Sequence, residues 1–280
     1  YLAHGQVSYG SVEGDMVKEL STSPFEQYTI TDHAHSLSEV KLLAPCVPTK
    51  ILAIGLNYSS HLHDRQGPTE PMVFYKTPTS LISTEDTIVR PKDTARLDEE
   101  AELVVIIKDR CRNVSEQEAM DHILGYTCGN DVSARDWQSE DRNWWRAKSA
   151  DTFSPAGPYI VTDLDPSDVR VSARVNGKEV QSESTRYLIF DIPTIVAYTS
   201  RFVTLEPGEN TFDEIGWGMN HSFILGYSFS DIVIAGLDSS LTSDNSWVMV
   251  SGSWDKWSDL VAANENLNHG DWGISAIITY

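Results

Sequence analysis

The densest chemistry in this 280-residue chain lies in Leu97-Asp98-Glu99-Glu100-Ala101-Glu102-Leu103, which runs straight into Val104-Val105-Ile106-Ile107. A β-branched run of this kind forms a buried strand, and residues two apart on a strand share a face. Glu100 and Glu102 therefore project side by side where the strand begins. Carboxylates so close repel unless a cation lies between them. Hard oxygen donors suit Mg²⁺ or Mn²⁺, and Ca²⁺ by the same ligand chemistry. Without a cation, the same residues make an acidic, solvated strand entrance.

Two further segments add to this pair. Gly129-Asn130-Asp131-Val132-Ser133-Ala134-Arg135-Asp136 offers a third carboxylate, Asp131, in what reads as a Gly-Asn turn; its plainer duty would be to stabilise that turn. Gly55-Leu56-Asn57-Tyr58-Ser59-Ser60-His61-Leu62-His63-Asp64 follows another apolar run. His61 and Asp64, three apart, share a face of one helical turn. A carboxylate beside a histidine orients the ring and raises its basicity, as a general base requires. Such pairs also occur as simple surface contacts.

The elements that must position these side chains are mostly strands. Lys50-Ile51-Leu52-Ala53-Ile54-Gly55 predicts a buried strand ahead of His61. Residues 1–45 read as a small N-terminal β-rich module, with Val7 and Tyr9 alternating and Gly14-Asp15 turning a hairpin. Pro45-Cys46-Val47-Pro48 marks a linker to residues 46–280. Ser115 and Glu118 form a capping box ahead of Ala119, Met120, Ile123 and Leu124 at helical spacing, with Gly125 as the stop. Val169, Val171, Ala173 and Val175 alternate before Asn176-Gly177, a hairpin signal. Asp191 and Pro193 open a helix through about Arg201. The class is α+β, mostly β, with a few covering helices and no internal repeat.

Composition excludes several functions. Lys+Arg number 21 against 41 Asp+Glu, a formal net charge of −20, so phosphate backbones and anionic lipid are repelled. Neither nucleic acid nor membrane is expected as a partner. Cys46, Cys111 and Cys128 lack CxxC spacing, which argues against disulfides or a thiolate zinc site. No apolar run approaches the ~20 residues of a membrane span and no signal peptide is visible, so a cytoplasmic protein is expected.

Taken together, the segments resemble the fumarylacetoacetate hydrolase family. The likeness runs through Pro48-Thr49-Lys50-Ile51-Leu52-Ala53-Ile54-Gly55-Leu56-Asn57-Tyr58 with His61, and Phe74-Tyr75-Lys76-Thr77-Pro78. It continues through Leu97-Asp98 with Glu100-Ala101-Glu102-Leu103, Gly125-Tyr126-Thr127, Gly129 to Asp136, Lys148-Ser149, Asp151-Thr152-Phe153, and Arg201 to Gly208. The resemblance implies a mixed β-sheet/β-roll fold, usually in a homodimer. By position it assigns Glu100, Glu102 and Asp131 to the metal, His61 and Asp64 to the catalytic dyad, and Lys148 to the substrate. It makes residues 62–72 a mobile lid. The implied chemistry is a divalent-metal-dependent hydrolase or decarboxylase. It would cleave a C–C bond in a small 2-oxo or acylpyruvate-type carboxylic acid through a metal-stabilised enolate. The family also holds isomerases and lyases of catabolic dioates or ureidoglycolate, and a non-catalytic member is a third alternative.

The pattern breaks after Pro207-Gly208. The family's Thr-Gly-Thr-Pro turn is absent, and residues 209–280 carry one basic residue, Lys256, against ten acidic ones. Five of the eight tryptophans lie there as well. This segment is either a divergent C-terminus that completes the fold differently or an altered sequence.

Overall fold

The computed structural model describes residues 1–62, 66–214, 227–236, 247–250, 253–256 and 273–279, with the backbone alone for His61 and from residue 210 onward. Its centre is a seven-stranded mixed sheet built from β1 (Ile51–Gly55), β2 (Met72–Lys76), β3 (Leu81–Ile82), β4 (Ala101–Ile107), β5 (Ile123–Asn130), β6 (Ser154–Val161) and β7 (Asn210–Glu214). The spatial order is β2-β1-β7-β4-β5-β6-β3. All seven residues of β4 are buried, so the sheet must be covered on both faces. On one face Leu103, Val105 and Ile107 pack with Tyr126, Cys128, Val171 and Val196. On the other, Val104 and Ile106 meet Ile51, Ala53, Phe74 and Ala156. Burying each large aliphatic side chain contributes about 1.5–3 kcal/mol, which is why strand register here is strict.

A second sheet joins Lys178–Ser184, Val169–Val175, Tyr227–Gly236 and Gly273–Thr279, with Thr87–Ile88 paired to Tyr227–Gly236. Asn176 and Gly177 both have positive φ, 57° and 73°, the backbone that the predicted Asn-Gly hairpin demands. Gln181 from that hairpin reaches back to β4: Ala101 N–H donates to its Oε1 at 2.8 Å, and its Nε2 donates to Ala101 O at 3.0 Å. Among the described residues the α-helices are α1 (Glu116–Ala119), α2 (Arg135–Glu140), α3 (Trp145–Ser149) and α4 (Ile192–Phe202), of which α1 and α4 start at local capping signals. The capping box at Ser115 and Glu118 forms as expected, and Asp191 accepts from Thr194 N–H at 3.0 Å to start α4.

Three local expectations differ from the structure. The helix after Ser115 lasts one turn, and Ile123 and Leu124 open β5 instead. Pairing with β4 outweighs their helical spacing. Gly125 is not a helix stop; a Cβ there would collide with Val161 O, so it permits close approach of β6. In the N-terminal segment the hairpin is Gly10–Glu13 with Met16–Leu20, extended by Ile30–Ser36, whereas Val7 is 70 % exposed and lies outside it.

Directly past the last strong motif, Glu209 is buried and anchors β7. Its carboxylate accepts from Thr49 Oγ1 and Lys50 Nζ, each at 2.5 Å, and from Glu206 N–H at 2.7 Å. β7 then runs parallel to β1 and antiparallel to β4. The absent Thr-Gly-Thr-Pro turn falls on residues outside those described. Among the described residues no helix is long and apolar enough to cross a membrane.

Candidate metal centre

Glu100 and Asp131 meet because the chain pairs on both sides of them. Ala101 and Glu102 sit opposite Asn130 and Gly129 in the β4–β5 ladder, and Leu97–Asp98 pairs with Ser133–Ala134 just beyond. Asp131 N–H donates to Glu100 O at 2.8 Å. The predicted Gly-Asn turn is therefore the end of strand β5, and Asn130 serves as a latch: Glu100 N–H donates to its Oδ1 at 3.0 Å.

This pairing gathers the three expected carboxylates. Glu100, Glu102 and Asp131 are 0, 0 and 1 % exposed, and each presents an oxygen within 4.8 Å of the others. The solvated-edge alternative is thereby removed, since buried carboxylates need compensation. Part of it comes from α3. Lys148, fully buried, donates from Nζ to Asp131 Oδ2 at 2.6 Å and also to Glu100 Oε2. The ammonium stands 5.4 Å above the Phe74 ring. Its helix is preceded by Trp144, whose backbone is left-handed with φ 57°; that is costly for a bulky residue. The Trp144 ring packs edge-on to Phe74 at 5.5 Å, and its carbonyl accepts Lys148 N–H at 2.9 Å.

Sequence reasoning quoted Lys76 and Arg135 only as parts of motifs and gave them no role. Lys76, on β2, is 1 % exposed and donates to Asp131 Oδ1 and to the backbone carbonyl of Lys148. Burial pulls its pKa below the usual lysine value, while Asp131 acts in the opposite sense. Arg135, at the start of α2, donates from Nε to Asp98 Oδ2 at 2.9 Å and from Nη2 to Glu100 Oε1. Arg96 pairs with Asp98 through Nε at 2.8 Å and Nη2 at 2.7 Å. Burial alone would raise the Glu100 pKa, but Lys148 and Arg135 more than offset it and hold the carboxyl at about 2. The sequence signal for Lys76 was present: it shares strand parity with inward-facing Phe74.

Asn57 fixes the segment that carries the expected histidine. Its side chain pairs with Phe190 in both directions at 2.9 Å, and Ile189 N–H donates to its carbonyl at 2.7 Å. The backbone then turns through Ser59–His61. Asp64 lies outside the described residues, as does part of the expected lid.

Glu99 is a carboxyl the sequence did not single out. It is 2 % exposed, its Oε2 has no hydrogen-bond partner among the described residues, and burial, opposed by a backbone hydrogen bond, pushes its pKa up to about 7. In the unfolded chain the group titrates near 4.5, so folding favours its neutral form. Stability from this group is full below about pH 4.5 and is lost as pH rises towards 7. Melting in EDTA at pH 5 and pH 8 should show Glu99→Gln gaining up to about 3 kcal/mol over the parent at the higher pH only. An equal difference at both pH values would contradict this account.

The donor set fits a hard divalent cation: three clustered carboxylate oxygens, no thiolate and no described imidazole. The chain is similar in sequence and in fold to several known proteins. The fumarylacetoacetate (FAA) hydrolase C-terminal family matches residues 50–210, and the Rv2993c-like N-terminal family matches residues 1–45. An uncharacterized protein of Archaeoglobus fulgidus is 46 % identical over 211 residues, covering 75 % of this chain and 81 % of that one. The mitochondrial oxaloacetate tautomerase fahd2 of Xenopus laevis is 40 % identical, over 63 % of this chain and 58 % of its own. The crystal structure of 5-carboxymethyl-2-hydroxymuconate delta-isomerase from Mycobacterium smegmatis superimposes with a TM-score of 0.75 at 38 % identity, covering 84 % of this chain and 93 % of that one. With the matched segment spanning more than half its length and containing the buried carboxylate triad, the chain belongs to the fumarylacetoacetate hydrolase family.

Proposed function

We propose that this chain is a divalent-cation-dependent enzyme that shifts a proton next to the carbonyl of a small 2-oxo dicarboxylic acid, as a tautomerase or isomerase. The observation that carries the reading is the charge arrangement of the buried site. Glu100, Glu102, Asp131 and Asp98 are set among Lys76, Lys148, Arg135 and Arg96. These four carboxylates and four cationic side chains balance formally, with Glu99 beside them, its carboxyl pushed by burial up to about 7. A divalent ion added to the cluster brings two positive charges, which a dianionic substrate balances.

Glu100, Glu102 and Asp131 would hold a divalent cation, Mg²⁺ or Mn²⁺, which would supply Lewis-acid polarisation of a carbonyl oxygen. The side chains of the protein supply the rest. Lys148 places a fixed ammonium beside the carboxylates, where it stabilises negative charge developing on substrate oxygen without reorganising water. Together with Lys148, Arg135 keeps Glu100 ionised. His61 accepts and returns the carbon-bound proton at an imidazole nitrogen, with Asp64 as its orienting partner. The names of the tautomerase and the isomerase above support a proton shift.

A second reading is the C–C hydrolase or decarboxylase of an acylpyruvate-type acid. It is favoured by the His61-x-x-Asp64 pair, which suits activation of water as well as proton transfer. Incubation with oxaloacetate and with an acylpyruvate, with Mg²⁺ or with EDTA, separates the two. The proposal expects faster keto–enol interconversion with Mg²⁺, unchanged mass and no effect in EDTA. Released CO₂ or cleaved fragments would establish the second reading, and full activity in EDTA would sink both.

A further inference from the structure

We propose that Lys76 is a positioning residue that acts as an internal counter-cation. It holds Asp131 in place when no divalent ion is bound, and it weakens the site's grip on that ion so that the ion exchanges. The inference rests on reading the site as a divalent-cation site and goes beyond it in assigning the second lysine.

Three observations converge on Lys76. It is a fully buried ammonium on a sheet-edge strand, without access to water, and its head group is given to Asp131 Oδ1, one of the carboxylates of the triad. The same ammonium also donates to Lys148 O, so it ties β2 to the end of α3. Two neighbouring contacts repeat this tie: Thr77 Oγ1 donates to Ser149 O at 2.9 Å, and Ser149 Oγ donates to Tyr75 O at 3.2 Å. With Lys148 on Oδ2, both oxygens of Asp131 accept from an ammonium group.

The physical consequence has two parts. Three buried carboxylates within 4.8 Å of one another repel. A lysine fixed from a different strand keeps the third carboxylate in the cluster without a metal, so the site is preformed. The same positive charge opposes any cation that enters. Lys148 bridges two of the carboxylates, Glu100 and Asp131, with its ammonium. Lys76 approaches Asp131 through its other oxygen and is fixed to backbone, so it works through Asp131 and not on the substrate.

The test is Mn²⁺ binding to the purified full chain, followed by electron paramagnetic resonance of the free ion, with wild type, Lys76→Met and Lys76→Gln. Both variants should bind Mn²⁺ roughly tenfold more tightly than wild type, because one buried positive charge beside the site is gone. In EDTA both should melt at lower temperature than wild type, and Mn²⁺ should raise their Tm by more than it raises that of wild type. Affinity that is unchanged or weaker would overturn the inference, as would variants that fail to fold even with Mn²⁺, since Lys76 would then be structural only. Wild type that binds no Mn²⁺ would instead remove the cation-site reading, and the role of Lys76 with it.

Discussion

Asp131→Ala is expected to abolish Mn²⁺ binding and turnover together and to lower Tm by roughly 10 °C. The reason is the number of groups this one carboxylate satisfies. It accepts from Lys76 on one oxygen and from Lys148 on the other, both at sites closed to water. Removing one partner of a buried ion pair costs about 3–5 kcal/mol, because the remaining charge is stranded. For a protein of this size each kcal/mol moves Tm by about 2–4 °C. Asp131→Asn keeps the shape and one acceptor oxygen, so it should fold better than the alanine variant and still bind Mn²⁺ poorly. Calorimetry and Mn²⁺ titration of the two variants decide the matter. An alanine variant as stable as the parent would mean that the lysines do not depend on this carboxylate.

Lys148→Met should separate catalysis from cation binding. The unbranched thioether chain replaces the lysine stem without the ammonium that stands above Phe74, and the variant keeps all three carboxylates. Mn²⁺ should bind at least as tightly as to the parent, since a competing positive charge has been removed. The rate is expected to fall by about 10²–10³, the usual effect of deleting one fixed donor to a developing oxyanion. Lys148→Arg should restore little, because a planar guanidinium does not fit a space shaped around an ammonium between Glu100 and Asp131. A Lys148→Met enzyme within threefold of the parent rate at saturating metal would leave Lys148 with a packing role only.

How much of this was legible in the sequence depended on the range of the interaction. Glu100 and Glu102 could be paired from strand periodicity alone, and the Asn176-Gly177 hairpin and the Asp191 cap are local signals that the structure follows. Asp131 had to be placed by resemblance, because its approach to Glu100 depends on the β4–β5 register across about thirty intervening residues. Ile123 and Leu124 were misread because their spacing also suits a helix, and only the presence of β4 decides between the two. Lys76 and Arg135 received no role because charged side chains are expected at the surface unless a partner is known. Their partners, Asp131 and Asp98, come from other elements. Burial of a lysine cannot be read from a strand until the carboxylate that compensates it has been found.

The position of β7 carries a consequence for how the protein is made. Six of the seven central strands lie between residues 51 and 161, yet β7, at residues 210–214, sits between β1 and β4 near the middle of the sheet. On a ribosome the N-terminal strands emerge first, and until β7 arrives β1 and β4 each present an unpaired edge of apolar backbone. Such edges are templates for association with other chains, and closure across so long a separation is slow. Synthesis of this protein therefore passes through a stage with a slot in the sheet. The segment around Glu209, which plugs into Thr49 and Lys50 as it enters, ends that exposure, and nascent chains stalled before it are the form that chaperones should bind.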